Sequence, residues 1–323
     1  MHQSTHNQPP SYLYVHALLL LMTVLVAGSF PVGGEMMQSL NQTDPSLNSG
    51  QLMLLRFALA SLLFAPYIVH RFGLTWPGFE RLRVYTALAL PLAVFFCCMF
   101  ASLETSSVLN SGALFTSVPA LAAIYARLLN GERSGPLLIL GLVLGTAGAL
   151  WVVFRGDLAA LAQLQFSQGD AIFMIGCLFL GAYQPLVKRW HREEPVAVMT
   201  FWVILMATLL LLMFSLVSQL SMEPNPSTTA QRWRQWHQLP ASVYWGLAYL
   251  ALFTTLLSFF LQQLGAITLG PARTSAYSLL TPVFVMAMSF YLEPQLFDWV
   301  LLPGVILVIV GVVLIQLGRT RDA

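Results

Sequence analysis

The chain has 323 residues, 57% of them hydrophobic and 9% charged, with a formal net charge of +2 and a mean hydropathy of +0.74. So few polar side chains cannot coat a water-soluble globule of this size, and the composition places the chain in the lipid bilayer. Cys97, Cys98 and Cys177 all lie in apolar runs, so neither a disulfide framework nor a zinc spacing can be built from them.

Runs of roughly 20 apolar residues match a hydrocarbon core of about 30 Å when helical. Gly and Pro inside them suit helices rather than the alternating strands of a barrel. The first run, Tyr12 to Val32, follows a leader with His2 and His6 but no Lys or Arg, and it stays apolar too long for a cleaved signal, so an uncleaved helix is expected. Ten helices are predicted, at 12–33, 51–69, 84–102, 105–128, 136–154, 168–187, 196–218, 243–264, 268–291 and 298–317.

Two loops stand out. The segment 34–50 carries Asn41-Gln42-Thr43, a glycosylation pattern of little weight in a bacterium, and 219–242 carries Arg232-Trp233-Arg234-Gln235-Trp236-His237, a composition that favours the headgroup layer.

An even number of spans puts both termini on one side. With that side cytoplasmic, the inner segments hold ten basic residues (Arg71, Arg81, Arg83, Arg127, Arg133, Lys188, Arg189, Arg192, Arg319 and Arg321) and the outer ones three (Arg155, Arg232 and Arg234). This asymmetry orients the chain in the cytoplasmic membrane of the cell, with both ends inside.

The stretch from Thr105 to Gly148 recurs from Thr268 to Gly311 at a constant offset of 163 positions, which pairs Pro119 with Pro282, Gly141 with Gly304 and Gly148 with Gly311. Pro and Gly each dictate a backbone feature, so their recurrence in order and distance marks one unit written twice. Gly28-Ser29-Phe30-Pro31 has a weaker echo in Gly181 to Pro185. The expected fold is an all-α membrane protein of ten transmembrane helices, arranged as repeats over 12–155 and 166–317 with an outer-face loop at 219–242. Five spans per repeat invert the second copy relative to the first, a relation typical of secondary transporters with a site at the repeat interface.

Pro119 through Gly131-Glu132-Arg133, Pro136 and Gly141 resemble the end of an EamA repeat of the drug/metabolite transporter superfamily, and Arg56-Phe57 resembles that family's Arg-Phe motif in the second span. The resemblance covers about 17 to 317. It implies a central cavity between the first four helices of each repeat, with the fifth and tenth helices outside it, and it implies export. Ala27 replaces a common Trp, and Glu293-Pro294 does not reproduce the Gly-Glu-Arg turn. Independently of the resemblance, Gly141, Gly145, Gly148 and Ala149, with Gly304 and Gly311 on the tenth helix, form flat packing faces. These join either the two repeats or two protomers of a homodimer.

No carboxylate is expected near the bilayer centre. Glu35, Glu104, Glu293 and Asp298 fall at outer ends, and Glu80, Glu132, Glu193 and Glu194 at inner ones, which argues against a carboxylate proton relay and a cation-gripping site. His16 reads as an interfacial histidine. Arg56 and Arg273 lie roughly 8 Å inside their helix ends at 1.5 Å per residue, within snorkelling or helix-pairing reach. Arg273 also offers positive potential to an anion.

The candidate solute-binding residues are Arg273, Ser107 and Asn110 in the fourth helix, Tyr183 and Gln184 in the sixth, Trp202 in the seventh, Tyr249 and Gln262 in the eighth and Tyr277 in the ninth. Aromatics beside amides suit a small amphipathic, amino-acid-like solute. Pro31, Pro119, Pro185 and Pro282 are expected to act as kinks or hinges. The chain lacks a nucleotide-binding loop, a His-Glu-x-x-His motif and a Gly-x-Ser-x-Gly motif. The reading is a non-enzymatic secondary transporter exporting small metabolites or drugs, with lipid and a small solute as partners, no nucleic acid, no cofactor and no metal. A membrane-embedded enzyme or lipid-handling protein is the alternative.

Overall fold

With no water in the hydrocarbon core to satisfy backbone amides, each apolar run closes on itself as a helix. The computed structural model describes residues 11–43, 49–73, 75–102, 105–157, 159–160, 165–222, 239–292, 298–318 and 320–321. Its helices are α1 (Tyr12–Thr43), α2 (Ser49–Phe72), α3 (Phe79–Ser102), α4 (Val108–Phe115), α5 (Val118–Asn130), α6 (Pro136–Val153), α7 (Gln168–Trp190), α8 (Val196–Met222), α9 (Ala241–Tyr249), α10 (Ser258–Thr268), α11 (Pro271–Ser275), α12 (Thr281–Leu292) and α13 (Leu302–Leu317). A π-helical segment, Leu250–Leu257, joins α9 to α10, and a 3₁₀ segment, Ala276–Leu280, joins α11 to α12. Among the described residues nine helical stretches are long and apolar enough to span a membrane. Most of the segment expected at 219–242, residues 223–238, lies outside the described residues.

The predicted fourth and ninth helices are both broken. In the fourth, Pro119 has no N–H to continue the ladder, and the chain turns at Thr116 and Ser117, whose hydroxyls donate to the carbonyls of Ala113 and Leu114 at 2.6 Å each. In the ninth, Pro282 follows the 3₁₀ turn, and the Ser278 hydroxyl donates to the Ser275 carbonyl at 2.8 Å. The paired prolines therefore mark the same break in both copies. Helix α1 runs ten residues beyond its expected end at 33, to Thr43. Gly33 and Gly34 do not stop it, because Met36 beyond them packs into a cluster with Leu52, Leu239 and Val243.

The bundle has a basic end and a far end. At the basic end Arg81 pairs with Glu194 and Lys188 with Glu132, Arg189 donates to the Leu129 carbonyl, and Arg133–Ser134 pairs as a short antiparallel strand with Thr320–Arg321. His16, one turn into α1, touches Tyr277 at the same end, so the start of α1 and the end of α13 lie together. At the far end Ser242 bonds Ser39, and the Trp151 indole donates to the Val300 carbonyl.

Helices α6 and α13 meet through their glycines. A Cβ on Gly141 would lie 2.6 Å from the Gly311 carbonyl oxygen, and one on Gly148 would lie 2.6 Å from that of Gly304, so these faces join the two halves of the chain. The largest apolar core, with Phe57, Leu88, Leu92, Phe96, Tyr183, Met199 and Ile204, lies among α2, α3, α7 and α8. Near the basic end α5 packs on α11. Beyond the breaks, α4 packs on α6 and α7 while α12 packs on α1 and α6.

Candidate functional site

Buried polar side chains collect along one helix, the continuous run from α9 through the π-helical segment to α10. A π turn inserts an extra residue and offsets the carbonyl ladder, a feature frequent at functional sites. Here the hydroxyls of Thr254 and Thr255 both donate to the Leu250 carbonyl, at 2.8 and 3.0 Å. Their oxygens then accept from Arg56 of α2: Nε reaches Thr255 Oγ1 at 2.5 Å, and Nη2 reaches the Thr254 carbonyl at 3.0 Å and its Oγ1 at 2.8 Å. Phe96 of α3 offers its ring face 5.8 Å from the guanidinium carbon.

One turn further on, Gln262 Nε2 donates to Ser258 Oγ at 3.2 Å, and Gln184 Nε2 of α7 donates to Gln262 Oε1 at 3.3 Å. The other amide oxygen, Gln184 Oε1, is buried without a partner among the described residues. Beside this chain the fully buried Gln263 donates through Nε2 to the Tyr183 hydroxyl at 2.7 Å and accepts from Thr200 Oγ1 of α8 at 2.7 Å. Phe259 packs against Phe57, Phe96 and Tyr183 and forms the apolar wall of the seam. Hydrogen-bonding groups from α2, α7 and α8 thus converge on one helix.

The structure distributes the nine sequence candidates among several places. Tyr183, Gln184 and Gln262 lie on the seam. Tyr249 sits just ahead of the π turn, where its hydroxyl donates to the Leu25 carbonyl at 2.8 Å; a side chain at Gly28 would strike that hydroxyl. Trp202 stands at the basic end, stacked on Tyr85 with ring centroids 6.4 Å apart and edge-on to Trp76. Arg81 lies over the same Tyr85 ring at 5.2 Å.

Tyr277 pairs with His16, with the hydroxyl 2.6 Å from Nδ1. Arg273 directs Nη2 to the Gly318 carbonyl at the end of α13, and Gln316 Nε2 donates back to the Arg273 carbonyl at 3.0 Å. Ser107 and Asn110 lie at the far end, where they line a cleft of about 370 Å³ with Gln165 and Ser167.

Asp170, which the sequence reading of the carboxylates passes over, organises that far end and is fully buried at the start of α7. It accepts from Ser106 Oγ at 2.5 Å, Asn110 Nδ2 at 2.7 Å and the Ser167 amide at 2.7 Å, while its own amide donates to Ser167 Oγ. The spacing Ser167-x-x-Asp170 is a capping-box pattern and is the signal in the sequence that could have found it. Thr200, Thr254 and Gln263 join the seam without any comparable signal. Arg56 is legible as an arginine within a span, but its stem runs inward to the π turn and pairs helices there rather than snorkelling outward.

Apolar spanning helices around a buried polar seam, two of them broken, define a polytopic membrane protein. The chain belongs to the EamA-like transporter family, whose model matches it twice, over residues 14–154 and 167–317. It is 25% identical over 260 residues, 80% of this chain and 81% of the relative, to a protein described as uncharacterized transporter YyaM from Bacillus subtilis (strain 168). It is 23% identical over 305 residues, 93% and 96% of the two chains, to an uncharacterized transporter from Archaeoglobus fulgidus. A solved structure titled only as the crystal structure of a protein shares the fold, with a TM-score of 0.68 at 15% identity over 95% of this chain and 96% of that one.

Proposed function

We propose that the chain is a ten-span secondary transporter of the cytoplasmic membrane, built from two inverted five-span repeats with both termini cytoplasmic, that exports small amphipathic, amino-acid-like solutes by alternating access. The observation that carries this reading is the polar seam along α9 to α10, whose Gln184 Oε1 is buried and unpaired among the described residues. An unsatisfied buried acceptor costs about 1–3 kcal/mol, and a solute donor entering the seam would offset that cost.

The packing supports two-sided access. The Glu132–Lys188 and Arg81–Glu194 pairs tie the basic end, while the two helices broken at Pro119 and Pro282 offer points of bending. Rocking would break these ties and open the basic end. Export is the direction implied by the family resemblance. A homodimer through α6 and α13 would use their remaining faces, where Val143, Ile306 and Val310 are exposed.

The test is counterflow in liposomes holding the purified full chain. Preloaded unlabelled amino acid should drive uptake of its labelled form well above protein-free vesicles. A folded, reconstituted protein that exchanges none of the amino acids offered would overturn the solute class.

A further inference from the structure

Arg56 stands out as a cation whose charge no carboxylate among the described residues answers. Its three hydrogen bonds go to a backbone carbonyl and two hydroxyls midway between Ala241 and Thr268. The two ion pairs among the described residues belong to Arg81 and Lys188, and neither involves Arg56. An arginine side chain stays protonated and has five N–H donors. Nε and Nη2 are engaged, whereas Nη1 donates to nothing among the described residues, and the residue keeps part of its surface accessible. Neutral dipoles satisfy hydrogen bonds but leave the charge in a low-dielectric layer, where an unpaired cation is costly.

The fork is also held in a fixed plane. Each threonine proton is committed to Leu250, so the hydroxyl oxygens can only accept, and they grip one side of the guanidinium while Phe96 lies over it. The Nη1 edge is left presented. A charge-assisted hydrogen bond from that free nitrogen is matched by a carboxylate oxygen.

We propose that Arg56, held on the Thr254–Thr255 turn, is the seat for the carboxylate of an anionic or zwitterionic solute. This deepens the reading of the seam as the solute site and names the chemical class it accepts. Arg56 is placed as a binding residue, and the threonines and Leu250 as positioning groups.

The test uses thermal unfolding of the purified full chain in detergent, with benzoate as the probe and benzamide as its uncharged isostere. Benzoate should stabilise the wild type and benzamide should not. Arg56→Gln should weaken the benzoate response by about tenfold to a hundredfold, the range of one charge-assisted hydrogen-bond pair. Arg56→Lys keeps the charge but loses the guanidinium plane that the two threonines hold in place, and should bind benzoate about tenfold more weakly than wild type while keeping the acid-over-amide preference. That variant carries the test where Arg56→Gln fails to fold.

Equal responses to acid and amide in the wild type, an undiminished response in folded Arg56→Gln, or wild-type affinity in Arg56→Lys would each overturn the seat. Phosphatidylglycerol added in place of benzoate separates the two sources of an anion. Stabilisation by that lipid alone, lost in Arg56→Gln, would assign Arg56 to a headgroup and overturn the solute proposal. Benzoate binding in a protein that fails amino-acid counterflow would sustain the seat while removing the amino-acid reading.

Discussion

The Glu132 carboxylate and the Lys188 ammonium meet at 2.9 Å across the basic end of the bundle, one from each matched repeat, and they share the contact unequally. Glu132 has a side chain 4% exposed and Lys188 one 33% exposed. Removing the carboxylate frees a lysine that water can still reach, whereas removing the lysine strands a carboxylate that water cannot. Glu132→Gln should therefore cost about 1 kcal/mol and Lys188→Met about 3 kcal/mol of stability. Thermal unfolding of the two variants side by side checks the order. Equal losses would show that Glu132 draws its compensation from elsewhere.

The pairing also has a conformational consequence. Glu132 belongs to the Gly-Glu-Arg turn, and its partner lies in the second repeat, so the bond clasps the two halves at one end only. Loosening it with Glu132→Gln should shift the population toward the state with the basic end open and the far end closed. A cysteine placed at Ser278, on the 3₁₀ turn of the broken ninth helix, should then react more slowly with an impermeant maleimide added from the far side. Unchanged labelling would mean that the clasp stabilises the fold without biasing access.

Helices α6 and α13 leave no room for a methyl group. A Cβ on Gly148 falls 2.6 Å from the Gly304 carbonyl oxygen and 2.6 Å from the Val308 nitrogen, both backbone atoms that cannot swing aside. Gly148→Ala and Gly141→Ala should each cost about 1–3 kcal/mol by forcing the helices apart. At Gly33, where a Cβ meets nothing within 4 Å, the same substitution should be neutral or stabilising by about 0.5–1 kcal/mol, because alanine loses less chain entropy in a helix. Thermal unfolding decides, and similar values at Gly33 and Gly148 would contradict the packing argument.

The paired Pro–Gly pattern made the repeat legible because those residues act on the backbone, which the fold must honour wherever the chain goes. Pro119 and Pro282 do open the second parts of two broken helices. Side-chain destinations were harder to read. Helical rise places the Cα of Arg56 near a helix end but does not give the direction of its stem, which the Thr254–Thr255 turn decides. Gln262 joins the seam as expected, and its neighbour Gln263, which carried no signal, meets Tyr183 and Thr200 as well, because the π segment adds a residue and offsets the side chains that follow it. Ser107 caps α4 by accepting from the Asn110 amide, and the Asn110 side chain is drawn to Asp170, a partner sixty positions further on.

Within the seam, Tyr183 and Gln263 should show the cost of an orphaned amide. Tyr183→Phe removes the acceptor of Gln263 Nε2, and Gln263 is fully buried, so no water can replace it. The expected loss is about 1–3 kcal/mol. Adding Gln263→Leu should recover part of it, since the double variant buries no unpaired amide, although the Thr200 hydroxyl then keeps only its bond to the Val196 carbonyl. A double-mutant cycle read by thermal unfolding measures the coupling; strict additivity would show that the hydrogen bond contributes nothing.

Arg273, like Arg56, has no carboxylate partner among the described residues, and its Nε is buried without a bond there; it differs in what its fork holds. Its Nη2 is spent on the Gly318 carbonyl, where a cation meets the negative end of the α13 dipole, an interaction worth about 0.3–2 kcal/mol. Gln316 in turn donates to the Arg273 carbonyl, so the contact holds the last turn of α13 from both sides. Arg273→Gln should fray that turn and loosen the pairing of Thr320–Arg321 with Arg133–Ser134, seen as faster hydrogen exchange in the C-terminal peptide. It should leave the benzoate-over-benzamide preference at the wild-type level. Arg273→Gln that keeps C-terminal protection but loses the acid preference would move the anion seat from the second helix to the ninth.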